Sequence, residues 1–350
     1  MMVTLKDIQQ AHAILRGIAV RTPLFEWTSA ADQRKLFLKL ENLQPIGAFK
    51  LRGAYNKVAS LSSEERRRGV ISYSSGNHAQ GVAYAARALG VKAIIVMPGN
   101  APKNKLDATA ALGAEIVTVG PSSEERRLRA EQLAAEHGYA IVPPYNDEKI
   151  IAGQGTVGLE ILEDLPNVET VLVPVGGGGL ISGVSAAIKL SNTELSHPAL
   201  GHPQRGHPQL GQAKVVQPRL VQARVKVIGV EPELASDARA SLRAGRIVSF
   251  PAEEVSQTLA DGLRTQSIGA INFEHIRAYV DDIVSVTEDE IREATRALSA
   301  NPKTLAEPSG AVAAAAFLFH ADELPKTAIN VAVISGGNID PTLLAELRNH

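Results

Sequence analysis

Short apolar runs alternate along this chain with longer helical patterns. From position 36 onward, apolar stretches at 36–40, 70–72, 92–96, 115–119, 168–173, 226–230 and 328–334 have strand length and β-branched content. Amphipathic patterns at 49–59, 79–89, 102–112 and 123–136 lie between the earlier ones and predict helices. Strands separated by helices imply parallel-rich sheets covered on both faces, hence an α/β, three-layer architecture. There are too many strands for one compact sheet. The spacing predicts two units: a large domain from 1–68 and 147–350, and a small one from 69–146. The first eighteen residues read as a helix opened by a Thr4-x-x-Asp7 capping box.

One stretch breaks the pattern. Within 191–224 the chain carries His197-Pro-Ala-Leu-Gly, His202-Pro-Gln-Arg-Gly and His207-Pro-Gln-Leu-Gly, a repeat of five residues. Pro and Gly at this density exclude a helix interior or a central strand. A His-rich metal tract is one reading. An insertion loop on the large domain is the better one, because imidazoles on a repetitive loop are not preorganised as ligands.

Composition narrows the function. The 350 residues carry a net charge of -1 and are 45% hydrophobic. That is ordinary globular chemistry, without the basic face that nucleic acid requires. The absence of cysteine removes disulfides, thiolate nucleophiles and Cys-based metal sites. No apolar run approaches the ~20 residues of a membrane span, and the N-terminus lacks a signal-peptide pattern. A cytoplasmic protein is expected.

Four strand-end segments carry residues that a packed core would not select. In Pro45-Ile-Gly-Ala-Phe49-Lys50-Leu-Arg-Gly53, a lysine opens a helix, where the dipole disfavours a cation; the alternative is a solvated lysine. In Ser74-Ser75-Gly76-Asn77-His78, small polar residues at a helix start form either an anion cradle or a simple N-cap. Gly176, Gly177, Gly178 and Gly179 follow an apolar strand, and their entropic cost makes sense if backbone N–H groups must approach a phosphate. The G-x-G-x-x-G spacing of dinucleotide sites fails, because Ile181 or Ser182 falls at the last position, which weakens a nicotinamide oxidoreductase. Ser335-Gly336-Gly337-Asn338 follows the last strand and is either a turn or a ring contact. A covalent anchor, an anion cradle and a ring contact are the parts of a pyridoxal-phosphate (PLP) site.

In order and spacing these motifs resemble the threonine dehydratase and serine racemase family of fold type II PLP enzymes. The resemblance runs from Arg21-Thr-Pro-Leu24 to Asp340, apart from the His-Pro loop. It implies that Lys50, beside Phe49, forms the Schiff base. Asn77 then meets the ring hydroxyl, the four glycines bind the phosphate, and Ser335 faces the ring nitrogen. It also implies Gly262 and Glu307 as cofactor-lining residues, and Ser74, Ser75, Asn77 and His78 as substrate-carboxylate contacts. Ser75 is implied as the acid/base opposite Lys50. Glu231, Ala235 and Asp237 resemble the divalent-cation site of serine racemases, two carboxylates and a backbone carbonyl, which would hold Mg²⁺ or Ca²⁺.

The activity so implied is conversion of L-threonine or L-serine to a 2-oxo acid and ammonia, in a homodimer or homotetramer. Serine racemisation and threo-3-hydroxyaspartate dehydration are the alternatives. A PLP-binding regulator without catalysis is disfavoured by the presence of Lys50, Ser75 and Ser335 together.

Overall fold

A computed structural model describes residues 1–27, 34–74, 76–101, 103–120, 122–196 and 225–349. Ser75, and positions 197–224 of the His-Pro insertion, lie outside the described residues.

Among the described residues, ten strands form two sheets. They are β1 (Leu24–Glu26), β2 (Lys35–Leu40), β3 (Val70–Tyr73), β4 (Ala93–Pro98), β5 (Glu115–Val119), β6 (Ala140–Ile141), β7 (Thr170–Pro174), β8 (Lys226–Pro232), β9 (Asp282–Val286) and β10 (Ile329–Ile334). Six make a sheet in the order β1-β2-β10-β7-β8-β9, and four make a second in the order β5-β4-β3-β6. All pairings are parallel except β1 with β2. The parallel α/β expectation therefore holds. Strands β1, β6 and β9 were not anticipated, and the N-terminal helix is shorter than expected, Leu5–Leu15, behind the predicted Thr4 capping box.

Both faces of the larger sheet are apolar, which explains its continuous hydrophobic runs. Leu172, Ile228, Val230, Ala332 and Ile334 point to a core completed by Ala311 to Phe317 of the helix Pro308–Phe319. The alternate positions Val171, Val173, Val227, Val331 and Val333 point to the helices Glu148–Asp164 and Gly179–Ser196, through Val157, Ile161, Ile181, Val184 and Ile188. In the smaller sheet, Ile95 and Met97 face one core and Ile94 and Val96 the other.

The helix Lys50–Ala59 packs on both Asn77–Leu89 and Glu148–Asp164. Small residues allow this approach: a Cβ at Gly153 would overlap the backbone of Arg52 and Gly53, and one at Gly81 would crowd the Lys50 carbonyl. Two residues after Lys50, Arg52 is buried with its guanidinium between two carboxylates. Nε and Nη2 donate to Glu41 at 2.7 and 2.9 Å, and Nη1 and Nη2 to Glu160 at 2.7 and 2.8 Å. Lys39 Nζ donates to Glu160 and to the Thr22 carbonyl, both at 2.6 Å, and Thr22 donates to Glu41. Burial pushes the Glu41 carboxyl up, but the charge and hydrogen bonds of Arg52 outweigh it and hold the group below its ordinary range. Two cations and two anions thus neutralise one another inside the fold.

Truncating one member leaves a buried uncompensated charge, so Arg52→Met is expected to cost about 3–5 kcal/mol. Arg52→Lys should recover only part of this, because an ammonium cannot make the forked contacts to both carboxylates. Thermal and denaturant unfolding of the two variants measures it. A wild-type midpoint for Arg52→Met would refute the account.

Candidate active site

Three of the four motifs follow the carboxyl ends of adjacent parallel strands. The lysine segment comes after β2, Ser335 after β10 and the glycine run after β7, and these strands are neighbours in the order β2-β10-β7. The crevice beyond the carboxyl ends of parallel strands is where open α/β sheets bind ligands. The fourth motif follows β3 of the smaller sheet. Hydrogen bonds stitch the loops together. Phe49 N–H donates to the Ser335 carbonyl at 3.0 Å, Gly337 N–H to that of Gly47 at 2.9 Å, and Glu307 N–H to that of Gly336 at 3.0 Å.

Lys50 opens its helix, with Nζ 2.8 Å from the Pro144 carbonyl and 5.2 Å from the centre of the Phe49 ring. Its side chain is partly buried, and loss of hydration lowers its pKa to about 8. A lysine in that range supplies neutral amine near physiological pH, as a nucleophile or base requires.

The glycine run is buried, and its surroundings exclude side chains. A Cβ at Gly177 would overlap the Tyr145 ring, one at Gly178 (φ +91°) would lie 2.8 Å from Asn272 Cβ, and one at Gly179 3.0 Å from Tyr145 Cβ. Tyr145 is thus part of the site's wall, which the sequence reading missed. Burial, with Tyr73 and Asp237 nearby, pushes its hydroxyl up to about 12, so it stays a neutral phenol.

Ser335 is buried, and among the described residues its Oγ makes a single long hydrogen bond, 3.4 Å to the Ser309 carbonyl. Ser309 Oγ accepts from Gly262 N–H at 2.8 Å, so Gly262 is held beside this pocket. Asn77 bridges loops: its Nδ2 donates to Glu307 Oε1 at 2.5 Å, and its Oδ1 accepts from Asn338 Nδ2 at 2.8 Å. Burial, with the charge of Asp261 added, raises the Glu307 carboxyl to about 7. Asp261 also forms an ion pair with Lys105, which ties the helix Lys103–Ala111 of the smaller-sheet region to the larger one. Neither Asp261 nor Lys105 was anticipated.

Two of the expected carboxylate contacts take distinct places. Ser74 stays accessible, and its Oγ accepts from Gly76 N–H at 3.3 Å. His78 is buried, with Nε2 3.0 Å from the Val142 carbonyl and Nδ1 lacking a partner among the described residues. Burial and the Lys50 charge push its pKa down to about 3, so the ring is neutral. A neutral imidazole bonded to backbone is a poorer carboxylate anchor than a protonated one.

Glu231, Ala235 and Asp237 come together at the end of β8, all fully buried. Glu231 accepts from the amides of Ala238 and Arg239 at 3.0 and 2.8 Å. Both Asp237 oxygens are buried with no hydrogen bond of normal geometry. Burial raises both carboxyls, Asp237 to about 7, although the Ile268 amide and its own oppose the rise. An oxygen-seeking cation would satisfy these atoms, so the residues fit Mg²⁺ or Ca²⁺. No group of three or more His, Asp or Glu side chains with metal-site geometry occurs among the described residues.

Comparison with known proteins points to pyridoxal phosphate. The family model described as "Pyridoxal-phosphate dependent enzyme" matches residues 15–336. An L-threonine ammonia-lyase of Thermotoga maritima is 44% identical over 99% of this chain and 79% of its own length. A catabolic L-threonine dehydratase of Escherichia coli is 38% identical over 99% of this chain and 96% of its own. Among solved structures, maize serine racemase superposes with a TM-score of 0.85, at 33% identity over 99% of this chain and 97% of that one. A threonine deaminase from T.th. gives 0.81, at 39% identity over 96% and 99%. A lysine opening the helix that follows β2, a tetraglycine loop after β7 and a serine after β10 are thus set in a chain that belongs to the pyridoxal-phosphate-dependent enzymes of fold type II, the family that includes threonine dehydratases and serine racemases.

Proposed function

We propose that this protein is a PLP-dependent ammonia-lyase that converts L-threonine or L-serine to a 2-oxo acid and ammonia. The observation that carries the proposal is the convergence of Lys50, the 176–179 loop and Ser335 at the carboxyl ends of three adjacent strands. The similarity to threonine ammonia-lyases supports the substrate class.

Pyridoxal phosphate, when bound, supplies an electron sink conjugated to the substrate Cα. The chain's own groups do the rest. The Lys50 amine anchors the cofactor and then takes the α-proton at Nζ. The 176–179 amides hold the phosphate, and Asn77 donates to the ring hydroxyl. Ser335 presents a neutral hydroxyl to the ring nitrogen, where a carboxylate would keep that nitrogen protonated and favour a long-lived carbanion. Such a site would favour early loss of the β-hydroxyl, which would leave as water with the proton that Lys50 Nζ had taken from Cα, and later hydrolysis of the released product by water would make the net change loss of ammonia alone. Glu231, Asp237 and the Ala235 carbonyl hold a structural Mg²⁺ or Ca²⁺, supported by the orphaned Asp237 oxygens. A cytoplasmic homodimer or homotetramer accompanies this reading on resemblance. Serine racemisation is the second reading, favoured by the likeness to maize serine racemase.

A keto-acid assay on a panel of L- and D-hydroxy-amino acids, with chiral analysis of the residual substrate, ranks these activities. Lys50→Ala should lower turnover by on the order of a thousandfold or more and abolish borohydride-fixed cofactor label. Because only the neutral amine combines with an aldehyde, cofactor loading of the wild-type apoprotein should speed up as pH rises through about 8 and level off above it. Wild-type turnover in Lys50→Ala would end the assignment.

Replacing Ser75 by Ala should separate the two readings. Racemisation needs an acid on the face opposite Lys50, whereas elimination from the L-substrate does not. Formation of D-serine should therefore vanish, while L-threonine dehydration falls only about tenfold. Persistent racemisation would place the second acid elsewhere.

Chelator should lower the thermal midpoint of wild-type protein, and Mg²⁺ or Ca²⁺ should restore it by mass action. Asp237→Asn should remove the response. A midpoint that ignores both chelator and cation would dismiss the metal.

A further inference from the structure

We propose that Asn338 is a positioning residue that fixes which atom of the Asn77 carboxamide faces the cofactor. The proposal rests on the PLP reading above.

The argument is one of donors and acceptors. Asn338 Nδ2 lies 2.9 Å from the Ile46 carbonyl oxygen and 2.8 Å from Asn77 Oδ1. A backbone carbonyl can only accept, so the Asn338 atom facing it is the nitrogen, whichever way the amide is first drawn. Its two hydrogens are then both engaged, one at Ile46 and one at Asn77. The Asn77 atom that meets this donor must be its oxygen. Asn77 Nδ2 is left on the other side, where it donates to Glu307 Oε1 at 2.5 Å and keeps a second hydrogen for the ring hydroxyl.

Glu307 cannot set this orientation by itself. Its carboxyl is raised to about 7, so near neutrality it exists both as an acceptor and as an acid that can donate. Paired with the acid form, Asn77 would be equally content with its oxygen toward Glu307. Asn338 removes that freedom, because the reversed Asn77 would set one NH₂ group against another. The surrounding backbone makes room for this arrangement. A Cβ at Gly47 (φ +71°) would overlap Asn338 Oδ1, and one at Gly336 would overlap Glu307 Oε1 and lie 3.0 Å from Asn77 Nδ2. Asn338 thereby links the lysine segment to the Asn77 loop.

Asn338→Asp tests the idea, since it keeps the shape and replaces the donor with an acceptor. PLP affinity of the holoenzyme should weaken about tenfold, and the visible band of the lysine-bound cofactor should shift. Asn338→Ala frees Asn77 without reversing it and should give a smaller loss in the same direction. In an Asn77→Ala background, Asn338→Asp should change affinity less than about twofold, because the two residues act as one unit. A purely structural role would lower the apoprotein's thermal midpoint and weaken PLP binding equally in both backgrounds. That result, or wild-type affinity and band in Asn338→Asp, would overturn the inference. If Asn338→Asp does not fold, Asn338→Ala runs the same cycle. A wild-type protein that shows no visible band and takes no label at Lys50 would instead overturn the cofactor reading, and this inference with it.

Discussion

The fork of Arg52 between Glu41 and Glu160 is the interaction on which the site's geometry hangs. Arg52 lies two residues beyond Lys50 on the same helix, while Glu41 follows β2 and Glu160 lies on the helix Glu148–Asp164. One guanidinium therefore fixes the start of the lysine helix against both the central sheet and a covering helix. Apolar packing would hold these elements together without specifying their rotation, since hydrophobic attraction has no direction. A planar group with fixed donor directions does specify it. The cluster closes only as a whole: Lys39 supplies the second cation, and Thr22 uses its hydroxyl on Glu41 and its carbonyl on Lys39.

Most of the large-scale architecture was legible because it obeys local periodicity. The seven anticipated strands differ from the sequence reading by only a residue or two at their ends, since most of them are buried on both faces and their apolar runs stand out. The missed strands failed for physical reasons. Ala140–Ile141 has two residues and Leu24–Glu26 three, too few to show any period. Asp282–Val286 is an edge strand beginning with an exposed acid and followed closely by Glu288, Asp289 and Glu290, so its pattern merges with a helix start. The order β1-β2-β10-β7-β8-β9 is not written locally at all, because pairing β10 with β2 depends on how the whole chain crosses over.

The site divides in the same way. Lysine at a helix start, four successive glycines and a serine in a glycine turn are each costly where they stand, and cost is visible in sequence. Tyr145, Asn338, Asp261 and Lys105 are ordinary residues for loops and helices. What makes them part of the site is a partner far along the chain: Gly177 for Tyr145, Asn77 for Asn338, and each other for Asp261 and Lys105. His78 shows the reverse. Its motif suggested an open polar contact, yet the ring is folded inward onto the Val142 carbonyl, a backbone partner that sequence alone does not reveal.

The glycine run answers to two demands that should be kept apart. From behind, the Tyr145 ring and Asn272 leave no volume for a Cβ at 177, 178 or 179, and Gly178 also has a left-handed φ. Packing would therefore require glycine there with or without an anion in front. Glycines alone consequently do not establish a phosphate site. What adds the ligand to the argument is position. The run ends in the first turn of a helix, where amides lack intrahelical partners. It also shares a sheet edge with a lysine of lowered pKa and with a buried serine whose hydroxyl makes one long bond among the described residues. Each feature has an unremarkable explanation in isolation. Those explanations are independent of one another and would not place all three at the ends of neighbouring strands, whereas a single phosphorylated aldehyde bound in the crevice does.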